Sequence, residues 1–546
     1  MVSTFMGLET SKRGLNVAQS ALYTTGHNVA NANTPGYSRQ RVNLTPTDGF
    51  PTPGMNSPRI PGQLGTGVEA GSVQRIRDSF LDAQYRSQNS KIGYYSSLSE
   101  SLTKMEEILN DPSESGLLNT MNTFWNSLED LTTNTDNAGA RAVVASSGQM
   151  VAETLNYYYN ALTSVQEDIR YQIGVEESGI NTIISNIQRI NEDISKVEPH
   201  GFIPNDLYDE RDILVDQLSQ LVNVKVSAVF PDKYGIADKA VASGLYNVEL
   251  IQEDGSSYMP PINLISANHT GLVGTAEIEV QTGDSGAVSG VKIGDTILKE
   301  YKFGGELAGL IESAGYEALN ADGTTKLDPV TSKPVIAGKY PDMLQKLNNM
   351  TEAFVNEFNR VHKQGYVLGD NSTQGGDFFE ITPGKNAAET IRVNVEIIKD
   401  PSLIAAGGKS GASGDNENAH SLAVIKSKDF SMYGKIADPT DASKLINDPD
   451  AKPLPDGLNG TFDAYYAGII GNLGVDSASV QKDYSNATIL ATSVDKNRQS
   501  VSAVSLDEEM TDMIKFQQAY NASARMVTLV DEMLDKIING MGTVGR

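Results

Sequence analysis

Ile180-Asn181-Thr182-Ile183-Ile184-Ser185-Asn186-Ile187-Gln188-Arg189-Ile190-Asn191-Glu192-Asp193-Ile194-Ser195-Lys196-Val197 sets the frame for the whole chain. Ile180, Ile183, Ile187, Ile190, Ile194 and Val197 recur at alternating spacings of three and four, the heptad of a helix that buries one long seam. The helical pattern runs back to about residue 141. A continuous helix over that span is about 85 Å long at ~1.5 Å per residue, whereas helices of ordinary globular domains average three to four turns. The expected architecture is therefore rod-like.

Two further stretches keep the same period. One carries Ile92, Tyr95, Leu98, Leu102, Met105 and Leu109, the other Leu344, Leu347, Thr351, Phe354, Phe358 and Val361. A less regular helical stretch runs from Phe462 to Val504. Residues 229–302 have another character. Val248 and Leu250, like Ile278 and Val280, alternate with polar neighbours, and Asp254-Gly255 and Gly283-Asp284-Ser285-Gly286 supply hairpin turns. They read as a small antiparallel β-domain inserted into a helical frame. The stretches 314–340 and 367–460, rich in Gly, Asp, Asn, Ser and Pro, read as loops with a few short strands such as Ile391 to Ile398.

The chain ends resemble each other. Near the amino end Leu8, Ser11, Leu15, Ala18, Leu22, Thr25 and Val29 follow the three–four alternation. At the carboxyl end Leu506, Met510, Met513, Gln517, Tyr520, Ala524, Val527, Asp531, Leu534, Ile538 and Met541 do the same, widened by Phe516, Val530 and Ile537. Ser505 with Glu508 reads as a capping box that opens this last helix, and Gly540 and Gly542 can close it. An isolated amphipathic helix is marginal in water, so both ends are expected to fray in a lone copy and to order when packed. Residues 1–45 carry Lys12, Arg13, Arg39 and Arg41 against Glu9, a net +3. Residues 500–546 carry four basic and seven acidic side chains, a net −3. Opposite charge on matching heptads favours pairing of the two ends.

Composition narrows the function. The 546 residues carry a formal charge of −26 and no cysteine. So acidic a chain lacks the basic face that nucleic acid or an anionic membrane requires, and neither is an expected partner. Thiolate metal sites, cysteine nucleophiles and disulfides are excluded. The amino terminus has neither the basic start nor the apolar run of a cleaved secretory signal, and no stretch approaches 18 consecutive apolar residues.

After the first helix comes Asn28-Val29-Ala30-Asn31-Ala32-Asn33-Thr34-Pro35-Gly36-Tyr37-Ser38-Arg39. Asn28, Asn31 and Asn33 suit a helix exit. Pro35 pushes Thr34 out of the helical region, and Pro35-Gly36 suit the centre of a type II turn, with Tyr37 packing back. This segment resembles the signature of the flagellar rod, hook and hook-associated axial proteins. Phe516-Gln517-Gln518-Ala519-Tyr520-Asn521-Ala522-Ser523-Ala524-Arg525, with Leu506-Asp507-Glu508-Glu509-Met510 before it, resembles that family's carboxyl-terminal helix. Within the family, the length, Gly36-Tyr37-Ser38-Arg39-Gln40 and Asn205-Asp206-Leu207-Tyr208-Asp209-Glu210-Arg211-Asp212 are similar to the hook-associated branch at the hook–filament junction.

The resemblance implies a non-enzymatic structural subunit, exported unfolded through the flagellar type III apparatus, that polymerises outside the cell on the hook tip and adapts hook to filament. Its implied partners are further copies of itself in a ring, hook protein below, the second hook-associated protein above, and a FlgN-type export chaperone on the carboxyl-terminal helix. The polymerisation residues would be Leu8, Leu15, Leu22, Val29, Leu506, Met510, Met513, Phe516, Tyr520, Val527, Leu534 and Ile538. The chaperone would cover Met510, Met513, Phe516, Val527 and Leu534.

The fold class that follows is mainly α with inserted β: a long-helix coiled-coil or bundle rod formed by both chain ends, plus a small antiparallel β-domain. Residues 1–70 and 500–546 would form the terminal polymerisation layer, disordered in the monomer. Residues 71–228 and 303–499 would form the helix bundle, with 367–460 loop-rich, and 229–302 the inserted outer domain. Other axial subunits, and an adhesin or enzyme carried on the β-insert, are the competing readings.

Little in the chain suggests catalysis. His27, His200, His269, His362 and His420 are scattered, and Gly304-Gly305 lacks a phosphate-loop lysine. Asp507-Glu508-Glu509 reads as a favoured helix amino terminus, and Tyr157-Tyr158-Tyr159 as helix packing. No metal or cofactor is expected.

Overall fold

The computed structural model describes residues 5–51, 62–109, 116–232, 241–329, 331–370, 372–438, 441–449 and 451–540. Met541 and Gly542 lie outside these. The amino-terminal helix α1 (Phe5–Ala30) leads into an antiparallel hairpin of β1 (Gln40–Pro46) and β2 (Val68–Arg75), which packs back on α1. The sequence reading had no strands there. The hairpin is half-exposed on both faces, so the apolar alternation that betrays a buried strand is weak.

Four helices then form the body: α2 (Ser79–Leu109), α3 (Leu117–Thr133), α4 (Ala138–Val197) and α5 (Asn205–Leu221). At 60 residues α4 is the continuous rod that its heptad predicts, about 90 Å long at ~1.5 Å per residue. Asn137 caps it, its side chain accepting from the Gly139 and Ala140 amides. Its buried line runs through Ile173, Ile180, Ile184, Ile187, Ile190 and Ile194, so Ile184 takes the place expected for Ile183, which is half-buried. Tyr158 is buried, but Tyr157 points into solvent, contrary to a shared packing role for the tyrosine triplet.

The β segment begins at β3 (Val224–Val229) and continues through β4 (Leu245–Ile251), β5 (Ser257–Asn268) and β6 (Gly271–Thr275), a four-stranded antiparallel sheet in chain order. A second sheet holds β7 (Ile278–Thr282), β8 (Val288–Ile293) and β9 (Thr296–Leu298). Short helix α6 (Gly305–Ala314) separates it from β10 (Tyr316–Glu317), which lies parallel to β8, and from β11 (Ile336–Ala337). Val248, Leu250, Ile265 and Val291 share one buried cluster with Leu98 and Ile184, so the strands are continuous with the helical core.

Helix α7 (Lys339–Gln364) carries the centre of that core. Phe354 and Phe358 pack against Phe124, Trp125, Phe378 and Phe379, with ring centroids 5.1–6.4 Å apart. Gly148 on α4 makes room: a Cβ there would stand 2.9 Å from the Phe378 ring. The segment beyond is less loop-like than its composition suggests. It holds β12 (Phe379–Glu380), α8 (Ala387–Thr390), β13 (Arg392–Val393), α9 (Val395–Lys399), α10 (Glu417–Val424) and a hairpin of β14 (Lys435–Asp438) and β15 (Asp441–Asn447). Ile391 to Ile398 is thus a two-residue strand followed by a helical turn rather than a continuous strand. His362 pins this segment to α7: its Nε2 accepts from the Ala405 amide at 3.0 Å, which leaves Nδ1 to donate to the Gly376 carbonyl at 2.8 Å.

The chain closes with α11 (Phe462–Ser502), packed along α2, and α12 (Leu506–Gly540), packed along α1.

Candidate assembly surface and the joint behind it

The pairing of α1 with α12 is antiparallel. A Cβ on Gly7 would lie 3.9 Å from Val530, and one on Gly14 would lie 3.0 Å from the Ser523 hydroxyl. Gly7, Gly14 and the buried Ala21 stand one heptad apart, so small residues let the helix backbones approach. On α12 the seam runs through Met513, Phe516, Tyr520, Ser523, Val527, Val530 and Leu534, at spacings of three and four. Met513, Tyr520, Val527 and Leu534 belong to the stripe read from sequence; its alternate positions, Met510, Gln517, Ala524, Asp531 and Ile538, give way to Phe516, Ser523 and Val530. On α1, Leu8, Leu15, Leu22 and Val29 are half-buried, while Val17, Ala18, Ala21, Thr25 and Asn28 are buried.

The rest of the carboxyl-terminal stripe faces outward. Leu506, Met510 and Ile514 follow one another at spacing four, and Met526, Leu529, Met533 and Ile537 form a line further along; all are exposed, as is Ile538. One α1–α12 pair therefore covers only one face of α12. Isolated exposed apolar residues are ordinary, but two clusters of them on one helix mark a contact surface.

The turn after α1 has the expected form. The Tyr37 amide donates to the Thr34 carbonyl at 3.2 Å, and Gly36 sits at φ +77°, as the third position of a type II turn requires. The Tyr37 hydroxyl donates to Asn28 Oδ1 at 2.9 Å and lies 2.9 Å from His27 Nδ1. The buried Asn28 side chain also exchanges two hydrogen bonds with the Gln40 backbone, as an extra strand would. Asn31 Nδ2 donates to the His27 carbonyl, while Asn33 and Pro35 are exposed.

Beneath the turn lies a buried ionic network. Asp206, Asp209, Asp212 and Asp216 fall at spacings of three, three and four on α5, which places them on one face. Asp209 accepts from the Ser38 amide at 2.9 Å and hydroxyl at 2.7 Å, and Gln40 reaches Asp206. Arg75, leaving β2, donates to Asp209 at 2.9 Å and Asp212 at 2.7 Å. Arg86 on α2 donates to Asp212 at 3.0 Å and Asp216 at 2.8 Å, and Arg498 on α11 reaches Asp216. Arg77 grips Asp82 with two hydrogen bonds. Burial alone would raise the Asp212 pKa; Arg77, Arg75 and Arg86 outweigh it and hold the carboxylate well below its usual range. A second clamp joins the two termini: the Arg39 amide donates to the Ser502 carbonyl, and its guanidinium to Glu509 at 2.7 Å and to Glu508. Those carboxylates, read from sequence as a favoured helix start, also hold the amino-terminal segment.

Sequence reasoning missed this network, because its arginines at 75, 77, 86 and 498 have no spacing relation to the aspartates. The available signal was the one-signed face of α5, which has to be neutralised by something.

Family models match in three places: the flagellar hook-associated protein FlgK helical domain over residues 102–379, flagella basal body rod protein over 8–37, and the flagellar basal body rod FlgEFG protein carboxyl terminus over 496–540. Flagellar hook-associated protein 1 of Bacillus subtilis is 43% identical to the chain, with all of both chains covered. The chain belongs to the flagellar hook-associated protein 1 family. More distant members, from Salmonella typhimurium and Escherichia coli K12, are each 24% identical, with at least 96% of either chain covered. The flagellar hook junction protein FlgK of Burkholderia pseudomallei shares the fold: TM-score 0.51 at 14% identity, over 76% of this chain and all of that one. The family is that of the structural protein of the flagellar hook–filament junction. The rod-protein models fall on α1 with its turn and on the end of α11 with α12, so this hook-associated protein 1 family member carries the axial-protein elements where its termini pair.

Proposed function

We propose that this chain polymerises on the hook tip through its terminal helix pair and joins hook to filament outside the cell. The reading is carried by the two-faced α12. One face closes on α1 of the same chain, and Leu506, Met510, Ile514, Met526, Leu529, Met533 and Ile537 are left for neighbouring copies. Each added copy buries a stripe that a lone copy exposes, so the terminal pair frays in the monomer and orders in the ring. Hook protein below and the second hook-associated protein above are the neighbours this position demands. An export chaperone has the exposed line of α12 to cover beforehand, and of the residues expected for it Met510 is the most exposed. The net charge of −26 keeps unassembled copies apart until those apolar contacts form.

The test is a double substitution, Met526→Asp with Leu529→Asp, on the face turned away from α1. Unfolding of the purified protein should be unchanged, and cells should carry hooks without filaments and shed flagellin into the medium. Normal filament number with the variant incorporated at the junction would overturn the assignment of that face.

A further inference from the structure

Sulfur chemistry in this chain falls to methionine alone, because the sequence holds 15 methionines and no cysteine. Met105, Met121, Met343 and Met350 belong to the core, each at most 7% exposed. Six others are open to solvent among the described residues: Met150, Met259, Met432, Met510, Met526 and Met533. Three of those six lie on the single helix α12, with Met510 58% exposed and Met526 and Met533 each 50%.

Their positions on α12 follow its apolar surface. Met510 stands four residues from Leu506 and four from Ile514, and Met533 four from Leu529 and four from Ile537, so each occupies the middle of an exposed apolar cluster. Met526 lies one heptad before Met533 and shares its side. Both clusters that α12 turns away from α1 therefore centre on a thioether, where leucine would supply similar apolar area without redox chemistry. Oxidation to the sulfoxide converts a flexible apolar side chain into a polar one, and methionine sulfoxide reductases reverse it.

We propose that Met510, Met526 and Met533 make the assembly surface an oxidation-sensitive switch, with hydrogen peroxide as the oxidant. The sulfur lone pair attacks one peroxide oxygen, the O–O bond breaks and an S–O bond forms. Sulfur is oxidised by two electrons, and the departing hydroxide takes the proton of the transferred hydroxyl and leaves as water. Each sulfoxide sets a hydrogen-bond acceptor where the contact requires apolar surface, and burying that acceptor unpaired is costly. Oxidation thus stops a copy that has not yet been seated, whereas a seated copy shields its own thioethers. The inference rests on the reading of this face as the contact with neighbouring copies.

The test uses the full chain and hooks isolated from cells that lack it. After brief treatment with dilute hydrogen peroxide, peptide mass spectrometry should find sulfoxide forming at Met510, Met526 and Met533 at least about tenfold faster than at the four core methionines. The urea midpoint read from Trp125 should not move. Co-sedimentation with hooks should weaken about tenfold or more and recover after incubation with a methionine sulfoxide reductase. Each variant is compared with its own untreated sample. Met510→Leu with Met526→Leu and Met533→Leu should lose no binding on peroxide treatment, whereas Met150→Leu with Met259→Leu and Met432→Leu should stay as sensitive as the wild type. Should leucine itself weaken binding, the sensitivity that survives in the second variant still assigns the effect to α12. Equal binding by oxidised and untreated wild-type protein overturns the proposal, as does loss of peroxide sensitivity in the second variant. If untreated wild-type protein does not bind hooks at all, the assembly reading itself falls and takes the proposal with it.

Discussion

Replacing Asp212 with asparagine keeps the shape of the side chain and deletes one charge from the centre of the joint. The carboxylate is almost wholly buried; it accepts from Arg75 at 2.7 Å, Arg86 at 3.0 Å and the Tyr246 hydroxyl at 2.9 Å, with Arg77 at 3.5 Å. An amide in its place turns an NH2 donor toward guanidinium donors and leaves the arginines with one counter-charge fewer. Removing one partner of a buried ionic cluster costs about 3–5 kcal/mol, a large part of a domain stability of roughly 5–15 kcal/mol. Trp125, the single tryptophan, reports from the aromatic core, which shares one buried cluster with Val215 and Leu218 of α5. Urea unfolding followed by Trp125 fluorescence should therefore shift to lower denaturant, and amide exchange in β2 should rise above that of α7. The wild-type carboxylate has a depressed pKa in the folded state, so its stabilisation is present above the unfolded carboxylate value near 3.8 and is lost as pH falls through the lower folded value. The asparagine variant should lack that acid-side loss. A stability change below about 1 kcal/mol, within the range of an exposed pair, would show that Asp209 and Asp216 suffice and would refute the central role of Asp212.

Gly36→Ala should loosen the turn on two counts: the residue sits at φ +77°, and its new Cβ would stand 2.5 Å from the Ile213 side chain. The left-handed backbone alone costs about 1–2 kcal/mol, and exchange at the Tyr37 and Gln40 amides should quicken with α4 unaffected. His362 is buried neutral, with its pKa pushed down to about 4 by desolvation. Its unfolded value is near 6.5, so stability is complete above that pH and falls by up to about 3 kcal/mol as pH drops from 6.5 to 4. That slope, read from urea midpoints, should vanish in His362→Gln.

The helices were legible because their apolar residues recur with a period that survives local substitution. Even so, Ile184 rather than Ile183 lies in the buried line of α4, and on α12 Phe516, Ser523 and Val530 take the seam in place of Gln517, Ala524 and Asp531, Phe516 and Val530 being residues that the sequence reading had only as a widening of the stripe. A helix with apolar residues on two faces offers two phases, and only the identity of its partner selects one. Gly7 and Gly14 make that partner α1 by allowing close approach. The turn at Pro35-Gly36 was legible from two residues, since each permits few backbone angles. The joint was not, because an ion pair leaves no period in the sequence. Arg39 and Glu509 lie 470 positions apart. The first hairpin was missed because its strands are half-exposed on both faces.

That separation bears on the order of events. Helix α1 is the first element a ribosome completes, yet the surface it rests on is nearly the last. Until about residue 534 has been made, or delivered to wherever the chain folds, Gly7 and Gly14 face empty water. The middle of the molecule can settle early, since α2 to α7 hold most of their own neighbours. The outermost seam closes only when beginning and end are present together, so a chain truncated anywhere before α12 forfeits this layer entirely.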